Sequence, residues 1–97
     1  MAYALAVMAA LEGIRVGADI YDIVMKTPSV AYAYDRNGTT LLHCASRLGR
    51  ADAVWVLTLC GAAPESINLA GERAVPLDAP AWILASVADC PSRLVMM

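Results

Sequence analysis

Single glycines and prolines divide this chain into short apolar segments, and this division limits the folds open to it. Gly13, Pro28, Gly49 and Gly61 each follow a stretch with helical periodicity. Of the 97 residues, 60% are hydrophobic, and many of these are alanine, the strongest helix former. Phenylalanine is absent and β-branched runs are scarce, which disfavours a sheet. The sequence therefore predicts one all-α domain of short, closely packed helices.

In the N-terminal third, the periodicity predicts two helices. The first covers residues 2–11, is apolar on most sides and is expected to end at Gly13. The second places Ile20, Ile23 and Val24 on one face and acidic residues on the other. We expect Thr-Pro-Ser at 27–29 to end this second helix, because proline cannot continue it.

Further along the chain, alternation over residues 31–34 and the Asn-Gly pair at 37–38 predict a short extended arm and a tight turn. Helices are then predicted over residues 40–48 and 51–59, with Gly61 as the C-terminal cap of the second. A last helix is expected to open at Pro76-Leu77 and to close before Pro91.

Charge and composition disfavour several classes of function. Net charge is −2, and the seven basic residues are scattered, so we expect no nucleic-acid binding. The longest apolar stretch, residues 2–11, is far short of the roughly 20 residues that a membrane span needs, and it has no basic flank typical of a signal peptide. Three cysteines, Cys44, Cys60 and Cys90, leave one unpaired in any disulfide scheme. These features predict a cytoplasmic protein without membrane contact.

No residue constellation in the sequence indicates catalysis, and we expect no enzyme activity, cofactor or metal. His43 is the only histidine, so neither a catalytic triad nor a multi-histidine metal site can form. A zinc site from His43 and the cysteines has suitable ligand types, but no Cys-x-x-Cys spacing supports it. The six glycines stand singly, which excludes a glycine-rich phosphate loop.

The segment from Asp35 to Gly49 carries the most specific motif of the chain. It reads Asp-Arg-Asn-Gly-Thr-Thr-Leu-Leu-His-Cys-Ala-Ser-Arg-Leu-Gly. This segment resembles the first half of an ankyrin repeat, Asp-x-x-Gly-x-Thr-Pro-Leu-His-x-Ala, with Leu41 in place of the proline. The resemblance continues through residues 53–62 and implies that His43 bonds to Thr40 and to the backbone as a structural residue.

The flanking segments are similar to partial repeats. Residues 9–13 match residues 45–49, and residues 75–79 resemble the start of a following repeat, although the Asp-x-x-Gly turn is missing ahead of Val75. The resemblance implies a helix-turn-helix solenoid of about two and a half repeats. We expect an N-terminal capping repeat over 1–34, a full repeat over 35–67 and a degenerate repeat over 68–97, with at most a short hairpin near Ala31–Thr40.

Ankyrin proteins usually hold their partners with the hairpin tips and the first helix of each repeat. Carried over by position, that surface consists of Tyr34, Arg36, Asn37, Thr39, Arg47 and Leu48. Tyrosine and arginine are also the residue types enriched at binding hot spots. The resemblance therefore implies a protein-protein interaction module that binds or blocks a partner protein, and a solvated turn of ordinary surface residues is the alternative.

Two more specific functions follow from composition. The chain is rich in alanine and arginine and poor in lysine, a bias of GC-rich genomes, so a small phage- or pathogen-encoded inhibitor of a host complex is one hypothesis. The other is a structural subunit or homodimer, because the apolar stretches 2–11 and 94–97 are unusual for the ends of a repeat array.

Overall fold

The computed structural model describes residues 2–88, with side chains from residue 4 onward, and is predominantly helical. The predicted all-α character is thereby confirmed. In the part described, the only extended pairings are two isolated antiparallel bridges. The elements are helices α1 (Ala2–Val16) and α2 (Tyr21–Lys26), a 3₁₀ helix (Pro28–Tyr32), and helices α3 (Leu41–Arg47), α4 (Ala51–Leu59) and α5 (Ala81–Ala88).

The helices form two layers. Helices α1 and α3 lie side by side in one layer, and α2, α4 and α5 form the other. A short connection joins α1 to α2, and another joins α3 to α4. Each connection crosses from one layer to the other, and the two helices that it joins pack as a pair. One continuous core fills the space between the layers, and its largest fully buried side chains include Ile14, Leu42, Leu57 and Ile83.

Helix α1 is longer and more exposed than the sequence predicts. It runs through Gly13 to Val16. A Cβ built on Gly13 lies only 2.6 Å from Ile20 Cγ2, so the glycine serves close packing and does not end the helix. The expectation that this segment is buried on most sides is wrong, since Leu5 and Met8 are about two-thirds exposed, at 68% and 67%.

The end of α1 is held by a side chain that lies just before α4. Arg50, which immediately precedes α4 and is largely buried, donates from Nη1 to the carbonyl oxygens of Gly13 and Ile14. Its Nη2 donates to the carbonyl oxygen of Ala18 and to Asp52 Oδ2. A single guanidinium thus satisfies carbonyls that the helix end leaves without intrahelical donors.

The prediction of an extended arm over residues 31–34 is wrong for its first part. Pro28 opens a 3₁₀ helix that continues to Tyr32, and both Val30 and Ala31 are buried. Burial of two consecutive side chains does not fit an arm with one face in solvent, because neighbours in a strand point to opposite faces. The predicted helices that follow agree closely with α3 and α4, and Gly61 follows the latter with φ +103.

The last helix begins later than predicted. Residues 74–80 form turns without a helix, and α5 starts at Ala81. Pro80 explains the delay, because in a helix opened at Pro76 it would have no N–H to donate to the Pro76 carbonyl. The predicted end at Pro91 and the apolar segment 94–97 lie outside the described residues. Within residues 2–88, none of the helices combines the length and the apolar character needed to cross a membrane.

We predict that Arg50→Ala lowers the free energy of unfolding by about 2 kcal/mol or more. Hydrogen bonds from a charged donor contribute roughly 1.5–3 kcal/mol net, and this substitution removes several at once. Arg36→Ala is the matched control. Because Arg36 is exposed on a turn, this substitution should change the free energy of unfolding by less than about 0.5 kcal/mol. Urea denaturation of both variants measures the difference, and equal effects would contradict the structural role of Arg50.

Candidate functional site

Residues 34–40, called turn A, form a loop that is closed by its own hydrogen bonds. Asp35 Oδ1 accepts from the backbone N–H groups of Asn37 and Thr39 at 2.8 and 3.0 Å. The Asp35 N–H donates to the Thr39 carbonyl oxygen, and the Asp35 carbonyl oxygen accepts from the Gly38 N–H. Gly38 has φ +77, a conformation that side chains disfavour. Hydrogen bonds among its own residues therefore hold the backbone of turn A.

Residues 67–73, called turn B, form the same loop a second time. Asn68 Oδ1 accepts from the backbone N–H groups of Ala70 and Glu72, both at 3.0 Å. The Asn68 N–H donates to the Glu72 carbonyl oxygen, and Gly71 has φ +81. Asparagine can replace aspartate here because an amide oxygen accepts both N–H groups as well as a carboxylate does.

The two turns are spaced 33 residues apart. The bridge between Tyr34 and Thr40 in turn A corresponds to the bridge between Ile67 and Arg73 in turn B. The lack of an Asp-x-x-Gly pattern ahead of Val75 suggested that this turn was missing. The turn is present, because an Asn-x-x-Gly pattern forms it there.

Turn B is bonded to turn A through both backbone and side chain. The Leu69 N–H donates to the Asn37 carbonyl oxygen at 2.8 Å. Asn68 Nδ2 donates to Thr39 Oγ1 at 3.0 Å and to Glu72 Oε1 at 2.9 Å. An aspartate at position 68 could not make these two donations, which explains why the amide occupies the second turn.

His43 joins turn A, helix α3 and turn B from a buried position. Its Nε2 is 3.0 Å from the Glu72 carbonyl oxygen, which can only accept, so the ring proton is assigned to Nε2. Nδ1 then accepts from the Thr40 N–H at 3.1 Å, while Thr40 Oγ1 accepts from the His43 N–H and caps α3. Both ring nitrogens are engaged in holding the fold, as the resemblance implied.

The structure places the six predicted partner-binding residues in two groups. Tyr34, Arg36, Asn37 and Thr39 lie on turn A, and Arg47 and Leu48 lie at the far end of α3. All except Thr39 are exposed, and Tyr34 most conspicuously so at 75%. The Thr39 hydroxyl is half-buried and accepts the bond from Asn68, so it serves the contact between the turns.

Sequence reasoning missed three apolar side chains beside these residues. Leu69 on turn B is 82% exposed, Leu77 is 78% exposed, and Ile67 is also exposed. The spacing of 33 residues is the signal that leads to two of them, because it aligns Ile67 with Tyr34 and Leu69 with Arg36.

A groove of about 640 Å³ lies between α3 and residues 71–80. Helix α3 contributes Ser46 and Arg47 to it. The opposite wall has the apolar side chains of Pro76, Leu77 and Pro80 together with the charged residues Glu72, Arg73 and Asp78. Arg47 Nη2 reaches across this groove to Glu72 Oε1 at 2.9 Å. The groove occupies the side of α3 on which the irregular segment 74–80 runs in place of a helix.

A smaller apolar cavity of about 150 Å³ lies on the other side of α3. Val7 and Leu11 of α1, Tyr34 of turn A and Cys44 of α3 line it. Burial raises the pKa of the Cys44 thiol, and the nearby Arg47 opposes that shift only in part. Cys44 is therefore held as a neutral thiol, which does not favour nucleophilic chemistry.

The charged groups around the groove are partly engaged with one another. The pKa of Glu72 is lowered by the hydrogen bond from Asn68 and by the positive charge of Arg47. Glu72 is thus held ionised between two donors. Among residues 2–88, no group of three histidine, cysteine or acidic side chains is arranged to hold a metal ion.

Comparisons of the chain with protein-family models, with curated proteins and with solved structures found no significant match. The interpretation of this surface accordingly depends on the geometry described above.

We predict that His43→Ala and Thr40→Ala each lower the free energy of unfolding by about 1–2 kcal/mol, the usual effect of losing a helix cap or a buried hydrogen-bond partner. Ser46→Ala on the same helix is the control and should change it by less than about 0.5 kcal/mol. Chemical denaturation measures all three variants, and a His43→Ala protein as stable as the control would contradict the structural role.

Proposed function

We propose that this chain is an ankyrin-like repeat domain that binds a partner protein and acts by blocking or bridging it, without catalysis. The spacing of 33 residues between turns A and B supports the repeat assignment, since it equals the ankyrin period. The pair α3–α4 is then one full unit, with the pair α1–α2 before it and a shortened unit ending in α5 after it. The absence of a helix over residues 74–80 is a departure from the family pattern.

The observation that supports binding most strongly is the exposure of large side chains on turns with fixed backbones. Tyr34 and Leu69 are more than 70% exposed, yet the turns that carry them are closed by internal bonds and bonded to each other. Exposed apolar side chains gathered in one area indicate an interaction surface. A rigid surface also loses little conformational entropy when a partner binds.

The proposed binding surface comprises the turns and the adjoining groove. Tyr34, Arg36 and Asn37 of turn A form one part, and Arg47 and Leu48 of α3 form the other. Leu69 of turn B joins them by its position in the repeat, while Thr39 contributes by keeping the turns together.

We predict that Tyr34→Ala, Arg36→Ala and Arg47→Ala each leave the melting temperature within a degree or two, and that at least one weakens partner binding about tenfold, or roughly 1.4 kcal/mol. Their side chains are exposed, so their loss opens no cavity. Affinity capture from native extract identifies the partner, and calorimetric titration compares the variants. Lys26→Ala, on helix α2, is the control. Unchanged affinity in all three would contradict the proposed surface.

A structural subunit or homodimer is the second candidate, and the outer face of α1 favours it. Leu5, Met8 and Val16 recur on the face opposite the core, with Glu12 between them, and all three apolar side chains are about two-thirds exposed. A helix that is apolar on opposite faces is usually buried on both. The apolar segment 94–97, which also suggested this candidate, lies outside the described residues.

If α1 mediates self-association, Met8→Glu should convert a concentration-dependent dimer into a monomer in sedimentation velocity. A buried carboxylate without a partner is strongly unfavourable. Tyr34→Ala should leave such a dimer intact. A monomer for the unmodified chain at all concentrations would exclude the homodimer.

A further inference from the structure

The carboxylates of turns A and B accept hydrogen bonds within the protein. Asp35 Oδ1 accepts two backbone N–H groups of turn A, and Glu72 Oε1 accepts from Asn68 Nδ2 and Arg47 Nη2. One oxygen of each of these carboxylates therefore holds a turn or closes the groove. The groove lining also includes Asp78 and Arg73, which add one charge of each sign.

The side chains of Arg36 and Arg47 on the same surface are accessible to a ligand. None of the described residues forms a hydrogen bond or ion pair with the Arg36 guanidinium at the tip of turn A. Arg47 has an ion pair with Glu72, but both side chains are more than half exposed, at 59% and 51%. An ion pair this exposed to solvent contributes little to stability, so another carboxylate can replace Glu72 at little cost.

Apolar side chains lie next to these cations. Leu69 occupies in turn B the position that Arg36 occupies in turn A, and Leu77 lines the groove that Arg47 borders. A ligand for this surface must therefore offer anionic groups and bulky apolar groups within a few residues of each other. In the Arg47–Glu72 pair, a carboxylate already binds the guanidinium.

We propose that the partner presents an acidic peptide segment, in which aspartate or glutamate side chains adjoin bulky apolar ones. An apolar side chain of that segment enters the groove between α3 and residues 71–80, and a neighbouring carboxylate takes the place of Glu72 on Arg47. A second carboxylate pairs with Arg36. This inference rests on the proposed function and specifies the class of partner for the same surface.

Peptide-display selection on the immobilised full chain tests this partner class with a random library as the probe. Arg36→Glu and Arg47→Glu are selected in parallel, and Lys26→Glu on helix α2 is the matched charge reversal. The tightest peptide is then titrated against each variant at low and high salt. A melting curve of each variant confirms that it is folded.

We expect peptides selected on the unmodified chain to be enriched in aspartate and glutamate next to leucine, isoleucine or phenylalanine. Arg36→Glu and Arg47→Glu should each lower the affinity for the tightest peptide about tenfold or more. Lys26→Glu should change that affinity by less than about twofold. Raising the salt should weaken the interaction, because exposed charge pairs are screened.

Selected peptides without acidic enrichment that still lose affinity with Tyr34→Ala would overturn the acidic partner class and leave the binding surface standing. If no turn or α3 variant changes the affinity of the selected peptides, both the acidic partner class and the binding surface are overturned. A selection that yields no binder would have the same consequence. Preferential binding of single-stranded nucleic acid over every selected peptide would also overturn the proposal.

Discussion

Helices of six to nine residues are too short to be stable in water by themselves, and four of the five α-helices described fall in that range. This constraint explains why so many interactions in the structure act at helix ends. Thr40 and His43 hold the start of α3, and Arg50 holds the carbonyls at the end of α1. Each of these short helices therefore depends on contacts with neighbouring helices for its stability.

The parts of the fold that could be predicted from sequence are those with local causes. The limits of α3 and α4 follow from the Thr40 cap, from Gly49 and from Gly61, all of which act within a few residues. Turn A was likewise readable from Asp35 and Gly38, since the bonds that close it are internal to the turn.

The parts that could not be predicted depend on contacts between distant residues. Gly13 looked like a helix end, but its role is to admit Ile20 against α1, which only packing reveals. The 3₁₀ helix replaced an expected extended arm because Val30 and Ala31 are both buried. Among the candidate site residues, the exposure of Tyr34 and Arg36 followed from the turn, whereas Leu69 and Leu77 required the position of turn B and of the groove.

The division of labour between charged side chains links the fold to the proposed function. Asp35 and Glu72 are engaged in keeping the turns in place, which leaves the guanidinium of Arg36 facing solvent. A chain with net negative charge can thereby present locally positive groups on one surface. Structural bonds and exposed charge thus belong to different side chains of the same turns.

Under the proposed repeat assignment, the difference between Asp35 and Asn68 gives the array a direction. Asn68 donates backward to the preceding turn through its amide, and Asp35 has no such donor. An acidic turn can therefore stand first in a stack, while every later turn needs an amide at this position to make the same side-chain contact. A longer array built by duplicating residues 35–67 would lose that contact at each new junction unless the copied aspartate became asparagine.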